Sequence, residues 1–134
     1  MSDDYAKIAT EDVELRERRG GGASSRDISG ALETEQMKIR QWIYTPGHEM
    51  AYHRHQTQEE VYYLVSGGPQ TVQVGEDDLE LNDGDWIRLA KDTPRRIRNQ
   101  SQSDAVWLTV AAPPGEGIMD GIRLTDDGEV IPRK

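Results

Sequence analysis

GHEMAYHRHQTQEEVYYLVSG, residues 47–67, decides how this chain is read. His53 and His55, two of its three histidines, stand two apart just before Glu59 and Glu60 and a strand-like run. In an extended strand, residues two apart point to one face, so both imidazoles converge on one side. Glu60, on the next strand, can complete a pocket with three ligand-type groups. Along 59–66, Glu60, Tyr62, Leu64 and Ser66 share one face, while Val61, Tyr63 and Val65 share the other. With Glu60 inward, the second face becomes an outward apolar stripe, a pattern that marks a partner surface.

Around this stretch the chain reads as short extended segments broken by turns. Strands are expected over 37–45, 49–55, 59–66, 70–75, 78–81, 85–89, 95–100 and 105–111. Punctuation comes from Pro46 and Gly47, Gly67 to Pro69, Asn82 to Gly84, and Asp92 to Pro94. Many short strands at regular spacing predict an all-β sandwich or barrel over 36–112. Residues 1–35 read as an arm outside it. Acid-first, base-last polarity from Thr10 to Arg19 with a glycine stop favours a short helix there, although Val13 and Leu15 alternate as in a strand edge. The glycines at 20–22 read as a flexible connector. Residues 113–134 form an extension in which 122–125 and 129–131 could make a small hairpin around Asp126, Asp127 and Gly128.

Composition narrows the functional classes. At 134 residues the chain fits one domain with a core of its own. It has no cysteine, which excludes disulfides and thiolate metal sites. No run approaches the roughly 18 apolar residues of a membrane span. The first residues, MSDDYAKIA, lack the apolar core of a secretory signal, so a soluble cytoplasmic protein is the expectation. A net charge of −9, from 16 basic and 25 acidic residues, disfavours nucleic acid as a partner.

The 47–67 segment resembles the first motif of the cupin superfamily, G-x5-H-x-H-x(3,4)-E-x6-G, met here by Gly47, His53, His55, Glu60 and Gly67. The second cupin motif, G-x5-P-x-G-x2-H-x3-N, falls on GDWIRLAKDTPRRIRN from Gly84 to Asn99. Gly84 and Asn99 agree with it. Ala90 stands for its proline, Asp92 for its glycine and Arg95 for its histidine. The resemblance covers about 37–111 and implies a double-stranded β-helix, or jelly-roll, barrel. It also implies a homodimer, with Val61, Tyr63 and Val65 as the buried stripe.

Most metal-binding cupins use three histidines and a glutamate. The resemblance therefore makes His53, His55 and Glu60 candidate ligands of a divalent ion such as Fe, Mn, Zn or Ni, with Arg95 at the third histidine's place. A guanidinium offers no lone pair to a metal. A divalent ion about 5 Å from it would meet about 7 kcal/mol of repulsion at an effective dielectric of about 20. Arg95 must then point away, be neutralised by a carboxylate, or meet an anionic ligand. Strand alternation puts it on one face with Ile97 and Asn99.

Three readings stay open. A two-histidine, one-carboxylate site could serve an oxygenase or isomerase, with Arg95 receiving a small acidic substrate. A metal-free pocket could instead bind an anionic small molecule, as a sensor or binding protein. The pocket could also be vestigial in a structural module. His53 and Glu60 are the candidate catalytic groups, and Arg95 and Tyr62 the candidate substrate contacts. His48 is expected to be exposed at its turn. The strand phase that would put Trp42 and Tyr44 inside, rather than Ile39 and Ile43, is not fixed by the sequence.

Overall fold

The computed structural model describes residues 4–114 and 120–132. After a single turn at Thr10–Asp12 come β1 (Arg16–Glu17), β2 (Ala23–Asp27), the helix α1 (Ile28–Leu32), β3 (Lys38–Tyr44) and β4 (His53–His55). They are followed by β5 (Glu59–Ser66), β6 (Gln70–Val74), β7 (Asp77–Leu81), β8 (Trp86–Leu89), β9 (Arg95–Arg98), β10 (Ala105–Ala112) and β11 (Gly121–Arg123). They build two antiparallel sheets, ordered β1-β2-β3-β10-β5-β8 and β11-β4-β9-β6-β7. The all-β architecture expected from the turn spacing is found, in the jelly-roll form that the cupin resemblance implies. Among the described residues, no helix is long and apolar enough to cross a membrane.

Alternation in β10 shows how the larger sheet divides its faces. Ala105, Trp107, Thr109 and Ala111 are buried, while Val106, Leu108 and Val110 lie on the other face. Trp107 stands opposite Trp42 of β3 and Leu64 of β5. It packs with Tyr44, Tyr62, Leu64, Val72, Leu89 and Ile97 in one core. Each large apolar side chain so buried stabilises the fold by about 1.5–3 kcal/mol. The register settles the phase of β3: Trp42 and Tyr44 face inward, and Ile39 and Ile43 face outward with Val106 and Val110. The outer apolar stripe is present, with Val65 and Trp86 exposed and Tyr63 stacked on Trp86 at 4.1 Å.

Both termini differ from expectation. No helix forms between residues 13 and 19; β1 turns back on β2 instead, and Arg18 N–H donates to Ala23 O at 2.7 Å. The glycines at 20–22 are the tip of this hairpin. The β2 strand then pairs along β3 and buries Ala23, so the segment read as an arm supplies a strand of the larger sheet. Small residues at 23–25 let β2 lie close to the barrel without announcing a strand by hydrophobic pattern. At the other end, residues 124–131 turn back on themselves, with Thr125 N–H on Glu129 O and Ile131 N–H on Arg123 O. The first arm of that hairpin, however, is a sheet strand: β11 pairs with β4.

Two motif anchors prove to be architectural. Gly67 has φ of 89°, and a Cβ there would run into the carbonyl oxygen of Asp104, so no other residue fits without movement. Asn99 donates to Tyr44 O at 2.9 Å and Ser103 O at 2.8 Å, and accepts from Gln70 Nε2 at 3.0 Å. It ties the end of β9 to β3 and β6.

Candidate functional site

The site spans both sheets. The β4 strand presents His53 and His55 on one face, with ring centroids 5.1 Å apart. In the same sheet His53 is the register partner of Arg95 on β9. Glu60 comes from β5 of the larger sheet, next to Tyr62 on its inward face. Its Oε1 is where everything meets. Arg95 Nη2 lies 2.7 Å from that oxygen, His55 Nε2 3.0 Å and His53 Nε2 3.9 Å, and the Tyr62 hydroxyl donates to it at 3.0 Å.

The far nitrogens of both imidazoles are also engaged. His53 Nδ1 faces Ala51 O at 2.8 Å, and His55 Nδ1 faces Asp120 Oδ2 at 3.0 Å. A carbonyl or carboxylate oxygen can only accept, so each Nδ1 carries a proton. In the neutral ring that leaves the Nε2 lone pair turned toward Glu60. A lone pair facing a carboxylate oxygen at 3.0 Å leaves one place between them for a cation, whether a proton or a metal ion.

Burial would raise the Glu60 carboxyl. The imidazoles of His53 and His55 beside it, with the Arg95 guanidinium, outweigh it and hold the group well below the usual carboxylate range. Burial, then the Glu60 charge, pushes the Tyr62 phenol well up, so its hydroxyl keeps its proton and remains a donor. Asp120 is the group the sequence did not announce. Its carboxyl, which burial alone would raise, is brought down to about 2 by hydrogen bonds from Thr57, Gln58 and His55.

His53, His55 and Glu60 offer three ligand atoms within 4.8 Å of one another and could hold a metal ion. Two donors each about 2.1 Å from one ion stand roughly 3.0 Å apart at a right angle and about 3.4 Å apart at the tetrahedral angle. The His55–Glu60 separation of 3.0 Å matches the first value, and the 3.9 Å to His53 requires a small closing movement. The donor set therefore fits an ion in chemistry, and in spacing once His53 moves inward. Against it stands the Arg95 charge on the same oxygen.

Arg95 and Tyr62 need correcting as substrate contacts. Arg95 is 0 % exposed; besides Glu60 it donates from Nη1 to Thr93 O at 2.7 Å and Ala90 O at 3.1 Å. Tyr62 is 1 % exposed. Both hold the carboxylate rather than face a ligand, so Arg95 takes the neutralised option of the three its position left open. Among the described residues, Arg95 Nε and Trp107 Nε1 are buried without a partner. His48 is half-buried rather than exposed, its ring 4.8 Å from Tyr44, and it lies outside the donor group. An open cleft lined by Pro69, Gln70, Thr71, Glu80, Gln100 and Ser101 includes none of the donors.

Solved structures share this architecture. A sugar phosphate isomerase from a cupin superfamily of Silicibacter pomeroyi matches with TM-score 0.75 at 16% identity, over 92% of this chain and 89% of that one. KdgF from Halomonas sp. matches with TM-score 0.72 at 14% identity, over 82% and 96%. A predicted oxalate decarboxylase from Thermotoga maritima matches with TM-score 0.72 at 16% identity, over 81% and 99%. At these identities the likeness is one of fold. The comparison with curated proteins gave no match. The cupin domain matches residues 40–111, which takes in the two histidines, Glu60 and Arg95 together, and on that match this chain belongs to the cupin family.

Proposed function

We propose that this cupin is a metal-dependent enzyme of the oxygenase or isomerase type, acting on a small acidic metabolite. One observation carries the reading: both Nε2 atoms face the Glu60 carboxylate while each Nδ1 is taken by an acceptor. Ligand histidines are commonly oriented in this way. His53, His55 and Glu60 would hold Fe, Mn, Zn or Ni, and such an ion supplies Lewis acidity and open coordination positions. His53 and Glu60 would act as the catalytic groups. Two of the fold relatives, a sugar phosphate isomerase and a predicted oxalate decarboxylase, are named for anionic compounds, which agrees with an acidic substrate without selecting one.

The test is elemental analysis of untagged protein purified without chelator, followed by titration of the chelator-treated protein with each ion. The expected result is one ion per chain, lost in His53→Ala. Full metal content in that variant would overturn the reading.

A second reading has its own support. Arg95 already supplies a permanent positive charge to Oε1 of Glu60. A metal-free binding protein for an anionic small molecule, with the two histidines as donors, agrees with that pair. Metal-free purified protein that retains a small carboxylate or phosphate ligand in native mass spectrometry would favour it. In either reading the outer stripe of Val61, Tyr63, Val65 and Trp86 would be buried in a homodimer.

A further inference from the structure

Asp120 has no part in either motif, yet it lies against His55 across 65 residues of sequence. We propose that Asp120 is the positioning residue of the site: it fixes the ring of His55 with Nε2 aimed at Glu60, and thereby sets the affinity for a divalent ion. The proposal rests on the metal reading above and deepens it.

Its carboxylate meets donors and nothing else among its described contacts. Oδ2 accepts from His55 Nδ1 at 3.0 Å and from Gln58 N–H at 2.9 Å. Oδ1 accepts from Thr57 Oγ1 at 2.6 Å and Thr57 N–H at 3.0 Å. An amide of the same shape would set its NH2 against one of these donors in either orientation, so only a carboxylate satisfies all four. The side chain is 10 % exposed, which strengthens each charge-assisted bond relative to one in water.

The backbone places it there. The β11 strand pairs with β4 in the register Gly121 to His55, Ile122 to Arg54 and Arg123 to His53. Gln56 N–H continues the contact to Asp120 O at 3.1 Å. This ladder delivers Asp120 to the end of the histidine strand, one step beyond His55. A carboxylate behind a ligand histidine fixes its tautomer and ring orientation and raises its basicity as a ligand.

A plain structural role is the competitor: Asp120 could do no more than tie off the 56–58 loop. The Gln58 side chain separates the two, because its Nε2 anchors the same loop to Pro113 O at 3.0 Å without touching Asp120. The experiment uses the full chain, stripped of metal and titrated with Zn(II) by calorimetry and with Co(II) by its visible absorption. Asp120→Asn and Asp120→Ala are expected to bind about 10–100-fold more weakly than wild type. Gln58→Leu should lower the melting temperature while binding within about twofold of wild type, the margin calorimetry resolves. Nitrogen NMR of the imidazoles should show one tautomer for His55 in wild type and a mixture in Asp120→Asn.

Wild-type affinity in both Asp120 variants would overturn the proposal, as would affinity lost in step with melting temperature across all three variants. If wild-type protein binds no divalent ion, the metal reading fails and the imidazole spectra decide alone. A His55 tautomer unchanged in Asp120→Asn then overturns the positioning role, and a shifted one supports it.

Discussion

Arg95 and His55 converge on a single atom of Glu60, at 2.7 Å and 3.0 Å. One carboxylate oxygen therefore serves a fixed cation on one side and an imidazole nitrogen on the other. A metal ion bound by His55 and Glu60 would share that oxygen with the guanidinium. The arginine would weaken the binding of such an ion, and it gives the buried Glu60 carboxylate a permanently charged partner.

Replacing Arg95 with histidine should therefore raise divalent-ion affinity by at least about a hundredfold, since it removes a repulsion of several kcal/mol and adds a donor. Calorimetric titration of Arg95→His against wild type measures this. The substitution also frees Ala90 O and Thr93 O, so a lower melting temperature without metal is expected alongside. Equal affinities would show that the guanidinium is not what limits binding.

Glu60→Gln should cost about 3–5 kcal/mol of stability, because it leaves Arg95 buried beside a neutral amide. Glu60 also sets a pH dependence, through the imidazoles of His53 and His55 and the charge of Arg95 around it. The Glu60 carboxyl is held below its ordinary range in the fold, so it takes up its proton more readily when unfolded. Its stabilisation is complete above an unfolded value of about 4.3 and is lost as the pH falls further. Urea unfolding at pH 6, 4 and 3 should show wild type losing more stability over this range than Glu60→Gln. Parallel slopes for the two would count against Glu60 as an acid-sensitive element.

On the outer face, Tyr63 and Trp86 sit as a stacked pair amid Val61 and Val65. Wild-type protein should run as a dimer by light scattering at micromolar concentration, and Trp86→Glu combined with Tyr63→Glu should run as a monomer with unchanged circular dichroism. A monomeric wild type removes the dimer.

Gly67→Ala should destabilise the barrel by at least about 2 kcal/mol, from its positive φ together with the encounter between a Cβ and Asp104 O. The midpoint of urea unfolding reads this directly. An unchanged midpoint would mean that the turn relaxes freely.

Much of the barrel and half of the site could be read from the chain. The spacing from Gly47 to Gly67 carries its own geometry: two histidines on one strand face, a turn, then an acid on the inward face of the next strand. The period-two pattern from Ala105 to Ala112 is equally plain. What escaped was pairing that leaves no local mark. The β2 sequence, ASSRD, has weak strand propensity and no apolar alternation, and only its ladder with β3 makes it a strand. The charge polarity before Gly20 suggests a helix, but it is overruled when Arg18 pairs with Ala23. Asp120 is one acid among many, distant in sequence from the histidine it meets. Arg95 could be placed by motif spacing, but its partner could not, because choosing Glu60 over a ligand depends on how closely the two sheets approach.

That the donors come from opposite sheets gives a practical handle on an unidentified cargo. Anything that joins β4 to β5 acts as a cross-brace, and its binding energy is added directly to the resistance of the whole barrel to heat. At a concentration one hundred times its dissociation constant, a molecule selective for the folded state contributes about 2.7 kcal/mol. In a chain of this size that is a melting shift on the order of 10 °C. A thermal screen of metal ions crossed with small carboxylates and phosphates would therefore rank candidate occupants by the shift each produces.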